Sequence, residues 1–161
     1  MNLYLLRHGD AIEAGYNDAE RPLSPLGENQ AAQAGLALQR LDIFPDIIIS
    51  SPLERARQTA KAVQQILQKP EISTSEYLIP GTDQRQILEL LNDISSQTVL
   101  LVGHEPQLST FISSLVSGSI TARIVMNKGS LARLDTPRPI VQGVCCLRWL
   151  LTAEQLEKLL R

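Results

Sequence analysis

The chain has 161 residues, 43 % of them hydrophobic and 20 % charged, with a formal net charge of -2. That length suits one ordinary domain over residues 1–161, whose core needs neither disulfides nor a structural metal. A nearly balanced, slightly acidic charge argues against a general binder of nucleic acid or membrane surfaces, so any anion handled by this protein must be gripped locally.

The chain opens on a short apolar run, residues 2 to 6, which predicts a strand ending at Arg7-His8-Gly9. This opening has no basic flank and no small-residue cleavage site, so no secretory signal is expected. Ser24-Pro25 then supplies an N-cap and a proline for the first helical position, and Leu26, Ala31, Ala34, Leu38 and Leu41 continue at helical spacing. Asp46 to Ser50 is short and β-branched, which predicts a buried strand. Ser51-Pro52-Leu53-Glu54 reads as a capping box opening a second helix that runs to about Gln68. Asp83 with Gln86 opens a third helix carrying Ile87, Leu90, Leu91 and Ile94. Thr98 to Val102 is a further buried strand running into Gly103-His104, and Glu105-Pro106 begins a fourth helix with Leu108, Phe111, Ile112, Leu115 and Val116 on its apolar side. Residues from about Arg123 to Leu150 are expected to form two more strands, followed by a short helix near Ala153 to Leu160 capped by Thr152. The only cysteines, Cys145 and Cys146, are adjacent, and neighbours on a strand point to opposite faces. Reduced thiols and a cytoplasmic location follow as expectations, and no stretch reaches the length of a membrane span.

Alternating strands and helices imply an α/β fold, a mostly parallel sheet with helices on both faces, whose ligand site lies at the carboxyl ends of the strands. Both histidines of the chain stand at such predicted ends, beside glycines. Arg7-His8-Gly9 follows the first strand, Ser50-Ser51 with Arg55 the second, and Gly103-His104 a later one. One crevice can therefore hold two guanidinium groups and two imidazoles, a set suited to phosphate, because arginine's planar fork pairs two phosphoryl oxygens and stays charged. A neutral imidazole can accept a phosphoryl group as a covalent intermediate, which makes His8 the candidate nucleophile, with Arg7, Arg55 and a protonated His104 around the phosphoryl oxygens. Gly9 fits a sharp turn that lets phosphate approach the backbone. Two histidines without an Asp-rich cluster make a dedicated metal site hard to assemble, so neither metal nor other cofactor is expected. Arg57 lies roughly 200° around the helix from Arg55 and is expected on the surface, as are Arg123, Arg133 and Arg138. Lys128-Gly129-Ser130 forms either a turn near the crevice rim or a plain hairpin turn, the plain turn being preferred, and Gly27 and Gly35 read as points of close helix packing.

Arg7-His8-Gly9, the segment Ser50 to Ala60 and Gly103-His104-Glu105-Pro106 resemble, in order, the three signatures of the histidine phosphatase superfamily, which includes the cofactor-dependent phosphoglycerate mutases. The opening Arg7-His8-Gly9-Asp10-Ala11, the compact length and the segment Asn127 to Leu134 are similar to the SixA-type phosphohistidine phosphatases. The resemblance implies a phosphoglycerate mutase-like fold, His8 as the phosphorylated residue, and Arg7, Arg55 and His104 as the phosphate pocket. Larger members carry a lid and an acidic proton donor after the second helix, whereas here only residues 69 to 97 separate that helix from the next strand. An open pocket is expected, suited to a histidine-phosphorylated protein such as a phosphotransfer domain. Asp10, Glu76, Asp83 and Glu105 are the candidate acids. A small-molecule phosphomonoesterase and a weakly catalytic phosphoprotein-binding module are the alternatives, with neither nucleic acid nor membrane as a partner.

Overall fold

The structure, a computed structural model, describes all residues from 1 to 161. Strands β1 (Asn2–Arg7), β2 (Ile47–Ser50), β3 (Glu71–Thr74), β4 (Thr98–Gly103), β5 (Leu131–Asp135) and β6 (Cys146–Leu151) form one sheet in the order β3-β2-β4-β1-β5-β6. The β3-β2-β4-β1 portion is parallel, and β5 and β6 join it antiparallel at the β1 side. Helices α1 (Pro25–Arg40), α2 (Glu54–Leu67) and α5 (Ala153–Leu159) cover one face, and α3 (Gln84–Asp93) and α4 (Gln107–Ser117) the other.

Alternation along the central strands sorts the core between these layers, since successive side chains point to opposite faces. Leu3, Leu5, Val99 and Leu101 pack with Ile87 and Leu91 of α3 and Phe111 and Ile112 of α4. Tyr4, Leu6, Leu100 and Val102 pack with Ala34 and Leu38 of α1 and Ala60 and Val63 of α2. The chain thus leaves β1 toward one face, through α1, and leaves β4 toward the other, through α4. A crevice opens where neighbouring parallel strands send their connections to opposite faces, and that point lies between β1 and β4.

Ser24 caps α1 through its hydroxyl, which accepts from Gly27 N at 3.1 Å. Leu26 and Leu41, assigned to the apolar stripe from spacing, are exposed at the two ends of that helix, where no layer reaches them. The capping box expected at Ser51 is not formed. Helix α2 begins at Glu54 after Leu53, which makes no side-chain cap, because Glu54 turns outward to Arg57 at 3.3 Å and Gln58 at 2.9 Å. A true capping box occurs at the other end of the chain, between Thr152 and Gln155. Strand β3 and the two short 3-10 turns at Asp18–Glu20 and Glu76–Leu78 lack the apolar periodicity that marks buried elements, and β3 is an edge strand with only Ile72 half-buried. Cys145 is buried and Cys146 exposed, both free, as opposed neighbours require. Arg138 is exposed as expected, and its guanidinium also donates to the carbonyls of Leu91, Ile94 and Ser96, satisfying groups that the end of α3 leaves unpaired. Arg133 is half-buried and bridges Asn2 and Asp135 at 3.3 and 3.2 Å.

Candidate active site

The registers of β1, β4 and β2 bring three loops to one rim. Arg7 stands beside Gly103 across the β1–β4 pair, His8 N donates to Gly103 O at 3.1 Å, and Ser51 N donates to Val102 O at 2.9 Å. His104 therefore emerges between the loop of His8 and the loop that leads to Arg55. The four expected residues Arg7, His8, Arg55 and His104 line one cavity of about 250 Å3, joined there by Arg21, Lys128, Glu13, Glu105 and Pro80.

His8 is buried, and its Nδ1 lies 2.6 Å from Gly9 O. A carbonyl only accepts, so Nδ1 carries the proton and Nε2 keeps its lone pair. Burial pushes the His8 pKa down to about 4, with Arg55, Arg7 and Lys128 adding to the shift against the opposing Gly9 bond. His104 is pushed down to about 3, first by burial and then by the charges of His8 and Arg55. The imidazoles lie with ring centroids 4.9 Å apart at 54°. Both nitrogens of His104 are buried without a hydrogen-bond partner, and so is Nε of Arg7. Buried polar atoms are nearly always paired, so three orphans around one cavity mark a place shaped for a polar guest.

The two arginines are held by backbone oxygens. Arg7 donates to Met126 O at 2.8 Å. Arg55 donates to Asp18 O at 2.6 Å and pairs with the Asp18 carboxylate at 3.3 Å. Arg55 is buried whereas the Arg57 side chain is 60 % exposed, in line with the expected separation around α2. Thr59, one turn after Arg55, donates to Arg55 O and accepts from Gly9 N at 3.2 Å, locking α2 to the loop that carries His8.

Gly9 has a packing role that its motif does not announce. A Cβ there would lie 2.4 Å from Gly27 O, and one at Gly27 would lie 1.9 Å from Asp10 O. The loop and the start of α1 touch backbone to backbone, so both glycines are needed for helix packing. Gly35 likewise admits Val63 and Ile66 of α2.

Of the candidate acids, only Glu105 lines the cavity. Its Oε1 accepts from Ser109 N at 3.0 Å, which satisfies a first-turn amide of α4. Asp10 is bound by Lys128 at 2.6 Å and by the Ser24 hydroxyl at 2.6 Å, and these bonds hold its carboxyl below the usual range. Asp83 caps α3 and pairs with Arg85, and Glu76 is exposed on its 3-10 turn. Neither reaches the cavity. No group of three or more His, Cys, Asp or Glu side chains converges into a metal-binding cluster.

A family model for the histidine phosphatase superfamily, branch 1, matches residues 3–79. An uncharacterized protein of Picosynechococcus is 31 % identical over 152 residues, covering 89 % of this chain and 90 % of its own. The chain belongs to the histidine phosphatase superfamily. The phosphohistidine phosphatase SixA of Escherichia coli is similar at 29 % identity over 124 residues, 73 % of this chain and 76 % of that one. A solved structure of the protein histidine phosphatase SixA with tungstate superposes with a TM-score of 0.88 at 22 % identity, over 97 % of this chain and 99 % of that one, which demonstrates the shared fold. The chain is thus SixA-like among histidine phosphatases, and phosphatase hydrolysis is the activity that membership supports.

Arg21, Glu13 and Pro80 carry no motif signal, and Lys128 takes the crevice rim in place of the preferred plain hairpin. Arg21 lies in an irregular loop and is aimed by its bonds to Ile12 O and Asp18 at 3.0 and 3.2 Å, none of which has a sequence period. Lys128 does form a turn, with Gly129 following at φ +73°, but that turn lies at the cavity. Its signal was weak because it precedes a strand instead of following one.

Proposed function

We propose that the chain, acting as one histidine phosphatase domain over residues 1–161, is a protein phosphohistidine phosphatase. The observation that carries the substrate class is the lining of the cavity. Apart from Pro80 its walls are charged or imidazole side chains, with no aliphatic or aromatic surface to grip the carbon skeleton of a metabolite. Small-molecule sites are mostly apolar with a few placed polar groups. A site of about 250 Å3 that is polar throughout is built for the phosphoryl group itself, and the body of the substrate stays outside it.

His8 Nε2 attacks phosphorus while the bond to the leaving nitrogen of the substrate breaks, giving phospho-His8 and a leaving imidazole that takes up a proton. Water then attacks phospho-His8, the N–P bond breaks, inorganic phosphate departs and the Nε2 lone pair returns. Neutral His8 is the competent form, which its low pKa supplies near pH 7. Arg7 and Arg55 bind the equatorial oxygens. Bound phosphate reverses the local charge around His104, draws a proton onto it and gives one of its orphaned nitrogens an acceptor. No metal ion takes part. A phosphohistidine protonates its leaving imidazole more readily than an ester protonates an alkoxide, so the chemistry depends little on a dedicated acid such as Glu105. A location in the cytoplasm suits a histidine-phosphorylated signalling partner, and no helix is long and apolar enough to cross a membrane.

The test is release of phosphate by purified protein from a phosphohistidine peptide, a phosphorylated histidine phosphotransfer domain and a panel of sugar and acyl phosphates, with and without chelator. Turnover of the phosphohistidine substrates in chelator is expected. Preference for a metabolite phosphate would replace this reading with a small-molecule phosphomonoesterase, and binding without release would make the protein a phosphoprotein-binding module.

A further inference from the structure

We infer that Lys128 is a substrate-binding cation of this site, a further ligand to the oxygens of the transferred phosphoryl group, and that Asp10 is the positioning residue that aims it; the inference rests on the phosphatase reading above. The turn that carries Lys128 is bound to the nucleophile's own loop. Gly129 N donates to Arg7 O and His8 O at 3.2 Å, and Arg7 N donates to Ser130 O at 3.0 Å. Gly129 cannot readily be another residue, because its φ is +73° and a Cβ would meet the Gln30 side chain at 2.9 Å. A turn fixed on both sides presents one side chain, Lys128, to the cavity.

The ammonium is partly buried, with 35 % of the side chain exposed, and it uses one bond, 2.6 Å to Asp10 Oδ1. An ammonium has three donors. The other Asp10 oxygen is held by the Ser24 hydroxyl at 2.6 Å, and Asp10 N donates to the Gln30 amide oxygen at 2.8 Å. Lys128 is therefore tethered by a carboxylate that is itself fixed to the start of α1, with two donors left over beside His8. Lys128 and His8 line the same cavity, and the lysine's charge acts on the His8 imidazole. It adds a further cation of the cavity wall to Arg7 and Arg55, delivered from a separate turn.

The competing account is that Lys128 merely neutralises Asp10. A charge-balanced pair of variants separates the two. Tungstate binding is measured by calorimetry for wild type, Lys128→Met, Asp10→Asn and the double variant, with thermal melts to check folding. As a phosphoryl ligand, Lys128 is worth about tenfold in affinity. The double variant stays at least about fivefold weaker than wild type, because neutralising the carboxylate at position 10 removes its repulsion of the anion but restores no ligand. Lys128→Arg is expected to recover part of the loss. A double variant that binds tungstate as well as wild type would overturn the inference, as would a Lys128→Met protein within twofold of wild type. Arg55→Ala is the control for the underlying reading. If it too leaves tungstate binding unchanged, the cavity is not the phosphate site; if it weakens binding while Lys128→Met does not, only the role of Lys128 fails.

Discussion

The parallel and the antiparallel parts of the sheet reach the same cavity from opposite directions. β1, β2 and β4 deliver Arg7, His8, Arg55 and His104 at their carboxyl ends or in the segments that follow, whereas β5 delivers Lys128 from just before its amino end. The two are equivalent in space because β5 runs antiparallel to β1, placing Leu131 opposite Leu6. A site rule phrased as the carboxyl ends of strands therefore holds for a parallel sheet and overlooks the start of an antiparallel neighbour. The difference also has a chemical side: the parallel strands bring buried groups with low-lying imidazole pKa values, and the antiparallel turn brings a half-exposed cation already matched to a carboxylate.

The comparison breaks most directly at His8. His8→Ala is expected to remove about 10⁴-fold or more of the turnover, and trapping of radiolabelled phosphate on the protein should vanish with it; a variant that kept full activity would end the covalent mechanism. Next in size is the contrast along α2. Arg55→Ala is expected to lower kcat/KM by about 10²–10³-fold, while Arg57→Ala, whose only partner is Glu54 on an exposed surface, stays within about twofold. Equal losses would show that the buried face of α2 does not serve the cavity.

A structural prediction tests the contact beneath both regions. Gly27→Ala forces a methyl against the backbone of Asp10, which cannot move without shifting His8 and the Asp10–Lys128 pair together. Destabilisation of about 3 kcal/mol is expected in a denaturant titration, and a neutral effect would mean that the loop is looser than its contacts indicate. The last effect is in acid and is read as a slope. With native pKa values depressed to about 4 and about 3, the histidines are neutral in the folded protein while the unfolded chain takes up protons below about pH 6.5. Their contribution to stability is complete above about 6.5 and declines as pH falls toward 4, by at most about 1.4 kcal/mol per unit for each. Thermal melts from pH 7 to 4 should show a shallower slope for His104→Gln than for wild type, and identical slopes would contradict the burial of His104 as the cause.

What the sequence by itself determined was the order of the elements other than β3, together with the motif residues, because these rest on local chemistry: the apolar run Leu3 to Leu6, the Ser24 cap, and histidines that follow apolar strands. Arg55 and Arg57 were separable for the same reason, since helical rotation is a local property. Tertiary structure alone decided the remainder. Gly9 gained its role from Gly27, eighteen residues away along the chain, and Arg138 gained its role from the end of α3. The engagement of Asp10 by Lys128 and Ser24, and the placement of Asp83 at the cap of α3 away from the cavity, are likewise tertiary facts. Lys128 itself entered the cavity only because β5 turns back along β1, a pairing between residues more than 120 positions apart that no local pattern encodes.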